Sequence, residues 1–516
     1  MARSERHQSA HRWPSRRHSS RSRARALARH SSDYSTAGLG SEDRPSPAVI
    51  YPQGVNPHVL ENSGIWMRFR VWFAHQARFS PARLALIVFA LLIAIITSLL
   101  ALPISTSSTQ RAPFVDILFT AISAVCVTGL TVVDTATYWS PFGQAVIALG
   151  IFIGGLGVVT LATILGYAVS RQLGLTQRML ATVETKSSGM GQLTALLKAV
   201  IFTSMSAQIV LTFAFLPRFI TLGHDTFVES FFHAMFMAIS VFNNAGFVIL
   251  SGGLAPYHSD WWMLGPIVLG TFVGAIGFPV ILDLSQRWRT PSKWALHTKL
   301  TLATYILLLF FGTITFAITE WNNPSTLGDL DVSSRLLNAL LGGVNARSSG
   351  LSALDVGLMR PQTHFIQDGL MMIGGGSVST AGGIKVTTFA VLLLAAAAEA
   401  RGDRDIEIFE RRIPHAVLRL AVAVTLMGSL LVGISTVILL SLTGYSLDVV
   451  LFESISAFAT VGLSTGITPD LPALAKYVLA ALMFAGRTGT MTLAAALALR
   501  DRPRAIRFPA ESPLIG

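Results

Sequence analysis

Four glycines with related neighbours are the residues most able to do chemistry in this chain. Phe119–Thr131 reads FTAISAVCVTGLT and Phe452–Ser464 reads FESISAFATVGLS, the same at six of thirteen positions. Phe236–Val248 reads FMAISVFNNAGFV, and Leu340–Ser352, LLGGVNARSSGLS, diverges most. Each keeps one glycine at the same place: Gly129, Gly246, Gly350 and Gly462, separated by 117, 104 and 112 residues. The neighbouring side chains differ, so backbone is what the four segments share. An extended strand of small residues can aim its carbonyl oxygens at an axis, and four such strands can replace the water shell of a dehydrated monovalent cation. Glycine suits such a strand because a Cβ opposes the dihedrals it needs. The candidate lining is Val127-Thr128-Gly129, Asn244-Ala245-Gly246, Ser348-Ser349-Gly350 and Thr460-Val461-Gly462. Cys126 lies at the base of the first strand, where a packed thiol is the simpler role.

The elements that must hold these strands are apolar. Of 516 residues, 52% are hydrophobic and 13% charged, against about 25% charged in soluble domains. The mean hydropathy is +0.57. This composition argues for an integral membrane protein. One cysteine excludes a disulfide framework and a cysteine-based zinc site. Long apolar runs cover about 84–104, 143–169, 195–220, 261–284, 299–318, 364–398, 415–442 and 474–499. Each can span the roughly 30 Å of hydrocarbon that about 20 helical residues cross. Between them lie short segments at about 113–127, 228–242, 333–346 and 448–459, too short to cross and suited to re-entrant pieces. The order long, short, long occurs four times.

Arg and Lys set the orientation. The net charge is +12, which in such a chain points to basic cytoplasmic loops rather than nucleic-acid binding. Arg171, Arg178, Lys186 and Lys198 follow the first unit, Arg287, Arg289, Lys293 and Lys299 the second. Arg401, Arg404, Arg411, Arg412 and Arg419 follow the third, and Arg500, Arg502, Arg504 and Arg507 the last. Thr221–Asp260 contains neither Lys nor Arg. The positive-inside rule therefore predicts cytoplasmic termini in a multi-pass protein of the cell membrane, with the short segments entering from outside. No run in the first 65 residues is apolar enough for a signal-peptide core, so no cleavable signal is expected. Met67 offers an alternative start.

The predicted fold class is all-α and integral to the membrane. Four fused helix, re-entrant loop, helix repeats would stand in pseudo-fourfold arrangement around one pore, with eight transmembrane helices. Residues 1–66 are expected to form a disordered basic tail. The repeats cover 80–171, 190–288, 296–400 and 412–500, and 501–516 is a cytosolic tail.

The run at 364–398 is too long for one straight crossing. Gly374, Gly375, Gly376, Gly382 and Gly383 interrupt it, each weakening a helix by about 1 kcal/mol relative to alanine. Irregular backbone at membrane depth is tolerated where it lines a cavity. A loop at 374–383, with Ser377, Ser379 and Thr380 in it and Lys385 just after, is therefore expected beneath the third segment, obstructing the cytosolic half of the pore. It is not a phosphate loop, because Ile384 separates Gly383 from Lys385. Arg487, between Gly486 and Gly489 in the last run, needs a partner at that depth. It is expected to hydrogen-bond the loop carbonyls and hold the pore shut; structural glue is the other reading. Lys385 is either a gate cation or a snorkelling residue. Asp134, Asp355 and Asp470 follow filter glycines and could concentrate cations at an outer mouth or be ordinary loop charges. Arg347 is expected to brace the filter backbone.

At AVCVTGLTVVD, SVFNNAGF, NARSSGLS, SAFATVGLSTG, GGGSVSTAGGIKVTT and GRTGTMTLA the chain resembles the membrane subunit of the Trk/Ktr/HKT potassium transporter superfamily. The likeness runs from about Ser80 to Arg500, and the eight-run count fits the Ktr branch. It implies potassium as the transported ligand and no covalent cofactor. It names the 374–383 loop an intramembrane gate. It also implies a homodimer with one pore per protomer, and a cytosolic nucleotide-binding ring as regulatory partner. In the plant branch, serine in place of the first filter glycine goes with sodium transport; Gly129 favours potassium. An obligately sodium-coupled symporter or a less selective potassium/sodium transporter is the alternative. A membrane enzyme is disfavoured, since HExxH does not occur.

Overall fold

The computed structural model describes residues 81–107, 112–157, 189–223 and 226–498, within the unit Ile65–Gly516. The basic tail 1–66, Met67, residues 158–188 with Arg171, Arg178 and Lys186, and residues 499–516 lie outside them.

Helices dominate, and their bounds follow the hydropathy. The first group is α1 (Pro81–Leu100), α2 (Phe114–Cys126) and α3 (Pro141–Gly155). Next come α4 (Gly189–Thr221), α5 (Phe227–Phe242), α6 (Trp261–Ile276) and α7 (Phe278–Arg287). Then follow α8 (Leu296–Glu320), α9 (Val332–Asn345), α10 (Pro361–Met372) and α11 (Val386–Arg401). The last group is α12 (His415–Leu442), α13 (Leu447–Ala459) and α14 (Ala473–Ala498). Polar caps start several of them by accepting from otherwise orphaned N–H groups. Ser140 accepts from Gly143 N at 3.2 Å, Thr226 from Glu229 N at 3.2 Å, and Asp260 from Trp262 N at 2.9 Å.

Among the described residues three helices are long and apolar enough to cross a membrane, or four if α6 and α7 count as one span. Eight were expected from the sequence. Of the other four runs, α1 counts only over Ala85–Leu100, α3 ends at Gly155 just before the described residues stop at 157, the 364–398 run is split into α10 and α11, and α14 runs to the edge of the described residues at 498. The run at 261–284 is also broken, with a 95° bend between α6 and α7. Gly277 sits at the corner with φ +107°, and Pro279 in the first turn of α7 suits a new helix start. A further departure is the hairpin β1 (Ile406–Ile408) and β2 (Arg411–Ile413), antiparallel with Ile406 opposite Ile413. Its two-residue turn puts Phe409 and Glu410 at positive φ.

One buried cluster draws side chains from all four short helices: Phe119, Phe236, Ala339 and Phe452. In lipid, helix association depends on close packing more than on escape from water. The close approaches fall on glycines. A Cβ at Gly154 would collide with Val125 O, one at Gly274 with Phe242 O, and one at Gly486 with Phe458 O. The C-terminal ends of α2, α5 and α13 thus each rest on a glycine of the following long helix.

Candidate functional site

Each short helix ends in a backbone turn that feeds the glycine-bearing strand. Val127, Asn244 and Thr460 stand at φ 58°, 59° and 49°, left-handed values that cost a residue with a Cβ about 1–2 kcal/mol. Main-chain bonds fix the turn: Thr128 N donates to Ser123 O at 2.8 Å, Ala245 N to Ser240 O at 2.8 Å, and Val461 N to Ser456 O at 2.9 Å. Side chains repeat the pattern. Gly129 N donates to Ser123 Oγ and Gly462 N to Ser456 Oγ, both at 3.1 Å. These two serines were missed as site residues, although the shared ISA triplet was their signal. The third segment departs: α9 runs on through Ala346 in helical conformation, and only Gly350 there has positive φ.

The four glycines lie against one another in cyclic order. A Cβ at Gly129 would strike Ala245 O and lie 2.9 Å from Gly246 Cα. One at Gly246 would lie 2.5 Å from Ser349 O, and one at Gly350 2.8 Å from Gly462 Cα. One at Gly462 would strike Thr128 O and lie 3.1 Å from Gly129 Cα. Each missing side chain is thus replaced by backbone of the next segment, and the last meets the first. Thr128, Ala245, Ser349 and Val461 are buried while the glycines are half-exposed. The candidate lining residues are therefore brought together.

The chain between α10 and α11 is a loop tied to itself and to its neighbours. Gly374 N donates to Ile384 O at 2.8 Å and Val386 N to Gly375 O at 3.1 Å, closing its neck. Lys385 Nζ donates to Ala381 O at 2.6 Å, so it braces the loop from within. Ser377 Oγ and Thr387 Oγ1 are 3.0 Å apart, and Ser379 Oγ is buried without a partner. Outward contacts reach the bend after α6: Gly376 N donates to Ala275 O at 2.8 Å, and Phe278 N to Val378 O at 3.1 Å. Thr380 Oγ1 donates to Gly274 O at 2.9 Å and lies 2.6 Å from the Asn244 amide. With that amide turned so that its oxygen takes the Thr380 proton in place of Gly274 O, its nitrogen donates to Ser348 Oγ at 3.1 Å and Thr271 O at 3.2 Å. Gly382 abuts Thr460, and Gly383 abuts Ala459.

The loop was expected beneath the third segment. Its contacts reach the second segment at Asn244 and the fourth at Ala459 and Thr460. Arg487 meets the loop directly: Nη1 donates to Thr380 O, and Nη2 to Gly154 O at 2.9 Å. One guanidinium joins the loop to the end of α3.

Arg347 differs from its expected role. It is fully buried, but it donates to Tyr305 O at 3.1 Å and stacks 3.8 Å from the Tyr305 ring. Its side chain reaches back to α8 and braces that helix instead of the filter backbone. Asp134 accepts from Ala136 N at 3.0 Å and Asp355 from Gly357 N at 2.9 Å, so both act as turn caps. Asp470 is exposed in a short 3₁₀ turn. Cys126 is a buried free thiol.

Comparison with known proteins bears on this arrangement. The TrkH family profile, described as "Cation transport protein", matches residues 64–503. The Ktr system potassium uptake protein B of Bacillus subtilis is 37% identical over 438 residues, covering 84% of this chain and 96% of that protein. The potassium/sodium uptake protein NtpJ of Enterococcus hirae is 33% identical over 452 residues, covering 86% and 98%. The crystal structure of the potassium transporter TrkH from Vibrio parahaemolyticus superposes with TM-score 0.61 at 18% identity, over 80% of this chain and 84% of that one. That structural likeness speaks for the fold, and the profile and the identities speak for descent. The chain therefore belongs to the Trk/Ktr family of cation transport proteins as a membrane subunit, and not to a family of enzymes.

Proposed function

We propose that this protein takes potassium into the cell through a gated pore lined by backbone carbonyls. The cyclic contact of Gly129, Gly246, Gly350 and Gly462 carries the reading. Side chains there would drive the strands apart, and only backbone is common to all four. The repeats at 80–171, 190–288, 296–400 and 412–500 then form a pseudo-fourfold ring of eight spans, with both termini cytoplasmic. Relatives named as potassium uptake proteins support potassium as cargo. In this reading the 374–383 loop is the gate, and Arg487 is the latch that holds Thr380. A homodimer and a cytosolic nucleotide-binding ring complete the assembly that the family resemblance implies.

Ion flux into vesicles tests the filter. Gly129→Ser should lower potassium-over-sodium preference; an unchanged preference defeats the assignment. Arg487→Ala tests the latch. It removes two charge-assisted hydrogen bonds of about 1.5–3 kcal/mol each, so basal uptake should rise; unchanged uptake defeats the gating role. One relative is named for potassium and sodium uptake, which favours a second reading in which sodium is coupled or also carried. Uptake measured with and without sodium separates the two.

A further inference from the structure

One acidic side chain stands behind the fourth segment with no basic partner. In the aligned repeats the residue after the leading Phe or Leu is Thr120, Met237, Leu341 and Glu453. Only the fourth is a carboxylate. Thr120 merely returns its hydroxyl to Asp116 O within its own helix, at 2.8 Å. Glu453 is fully buried. Its Oε1 accepts from Ser464 Oγ at 2.6 Å, Thr465 N at 2.9 Å and Thr465 Oγ1 at 3.2 Å. Its Oε2 accepts from Thr468 Oγ1 at 3.0 Å. All these donors belong to the stretch that begins two residues after Gly462. Gly466 N and Thr468 Oγ1 also meet Ser464 Oγ, at 2.9 and 3.1 Å, so the stretch is knotted around one carboxylate. Among the described residues no Lys, Arg or His forms an ion pair with Glu453.

A buried charge lacking a counter-charge is costly even when hydrogen-bonded. Four accepted hydrogen bonds offset part of that cost, and a cation held by the neighbouring strand would offset more. We infer that Glu453 is a positioning residue for the transported cation: it clamps the exit of the fourth strand and supplies the negative charge that tightens cation binding there. This rests on the filter reading above. The charge acts through space and through the clamped backbone, without touching the ion.

The test separates binding from turnover. Glu453→Gln keeps the shape and an acceptor oxygen but removes the charge. Potassium uptake into vesicles should show KM raised about fivefold or more, with kcat held within about twofold, the pattern of lost cation binding. A folded Glu453→Gln protein with wild-type KM, or with lowered kcat at unchanged KM, overturns the inference. Should Glu453→Gln not elute as a folded species, Glu453→Asp decides. Its charge is kept but withdrawn from the clamp, so KM must rise about twofold or more at unchanged kcat, and an unchanged KM overturns the inference. Gly129→Ser is assayed alongside. Altered ion preference there, with no change in Glu453→Gln, rejects the role of Glu453 alone; no change in either rejects the filter reading and this inference with it.

Discussion

Lys476 on α14 places its Nζ 2.9 Å from Asp116 Oδ1 on α2, joining the last helix to the first short one across 360 residues of chain. Both side chains are nearly buried, at 10% and 11% exposure. The pair ties the last described helix to the first short one. Removing one partner of a buried pair leaves a lone charge and costs about 3–5 kcal/mol. Lys476→Met or Asp116→Asn alone should therefore lower the melting temperature of the detergent-solubilised protein clearly. The double variant should recover much of the loss, because two neutral side chains carry no stranded charge. Equal melting temperatures for the parent and both single variants would show that the pair contributes nothing.

Glycine substitutions should divide sharply by place. Gly462 has φ +91° and no room for a Cβ beside Thr128 O. Gly433, within α12, has nothing within 4 Å of the added atom and ordinary helical backbone. Gly462→Ala should abolish potassium uptake. Gly433→Ala should leave uptake intact and stabilise the helix by about 0.4–1 kcal/mol. Uptake assays on membranes with matched protein amounts, with melting curves, decide both.

Apolar run lengths gave nearly every helix, since α12 matches the 415–442 run and α13 falls within a residue of the 448–459 run. The glycine quartet was legible because four copies of one pattern reinforce a signal that one copy would not carry. The break at Gly277 was not read, though the Gly-Phe-Pro triplet marked it; a continuous apolar run outweighed the local cue. Arg347 was misdirected because sequence shows its neighbours along the chain, and its partner Tyr305 is 42 residues away. The bonds of Thr380 to Gly274, and of Arg487 to Gly154, likewise join residues more than 100 positions apart. No spacing rule reaches that far.

Asp331, at the start of α9 and outside the spans, should give stability a pH dependence. Its carboxylate is held below the usual range by hydrogen bonds from Ser334 and from the backbone of Ser333. A depressed carboxylate stabilises the folded state at pH above its unfolded value of about 3.9, and that contribution fades as pH falls through the lower folded value. The acid limb of a melting-temperature profile should therefore be shallower for Asp331→Ala than for the parent. Parallel acid limbs would show that the cap contributes nothing measurable.

Thr380 is where the loop, the second strand and Arg487 meet. Its hydroxyl serves Gly274 O and the Asn244 amide, while its carbonyl receives Arg487. Thr380→Val keeps the volume and the carbonyl but deletes the hydroxyl. That loosens the loop from α6 and from Asn244 while Arg487 stays in place. A hydrogen bond contributes about 1 kcal/mol net. If that bond exists only in the closed arrangement, its loss shifts the closed-to-open ratio about fivefold. Basal uptake should rise by a similar factor, and Arg487→Ala on top should raise it further, because the two contacts hold different atoms of one residue. Uptake in Thr380→Val at or below the parent level would mean that the loop is a fixed part of the wall. In that case the Thr380 hydroxyl would serve only to hold Asn244, and the effect of the substitution would appear in ion preference alone.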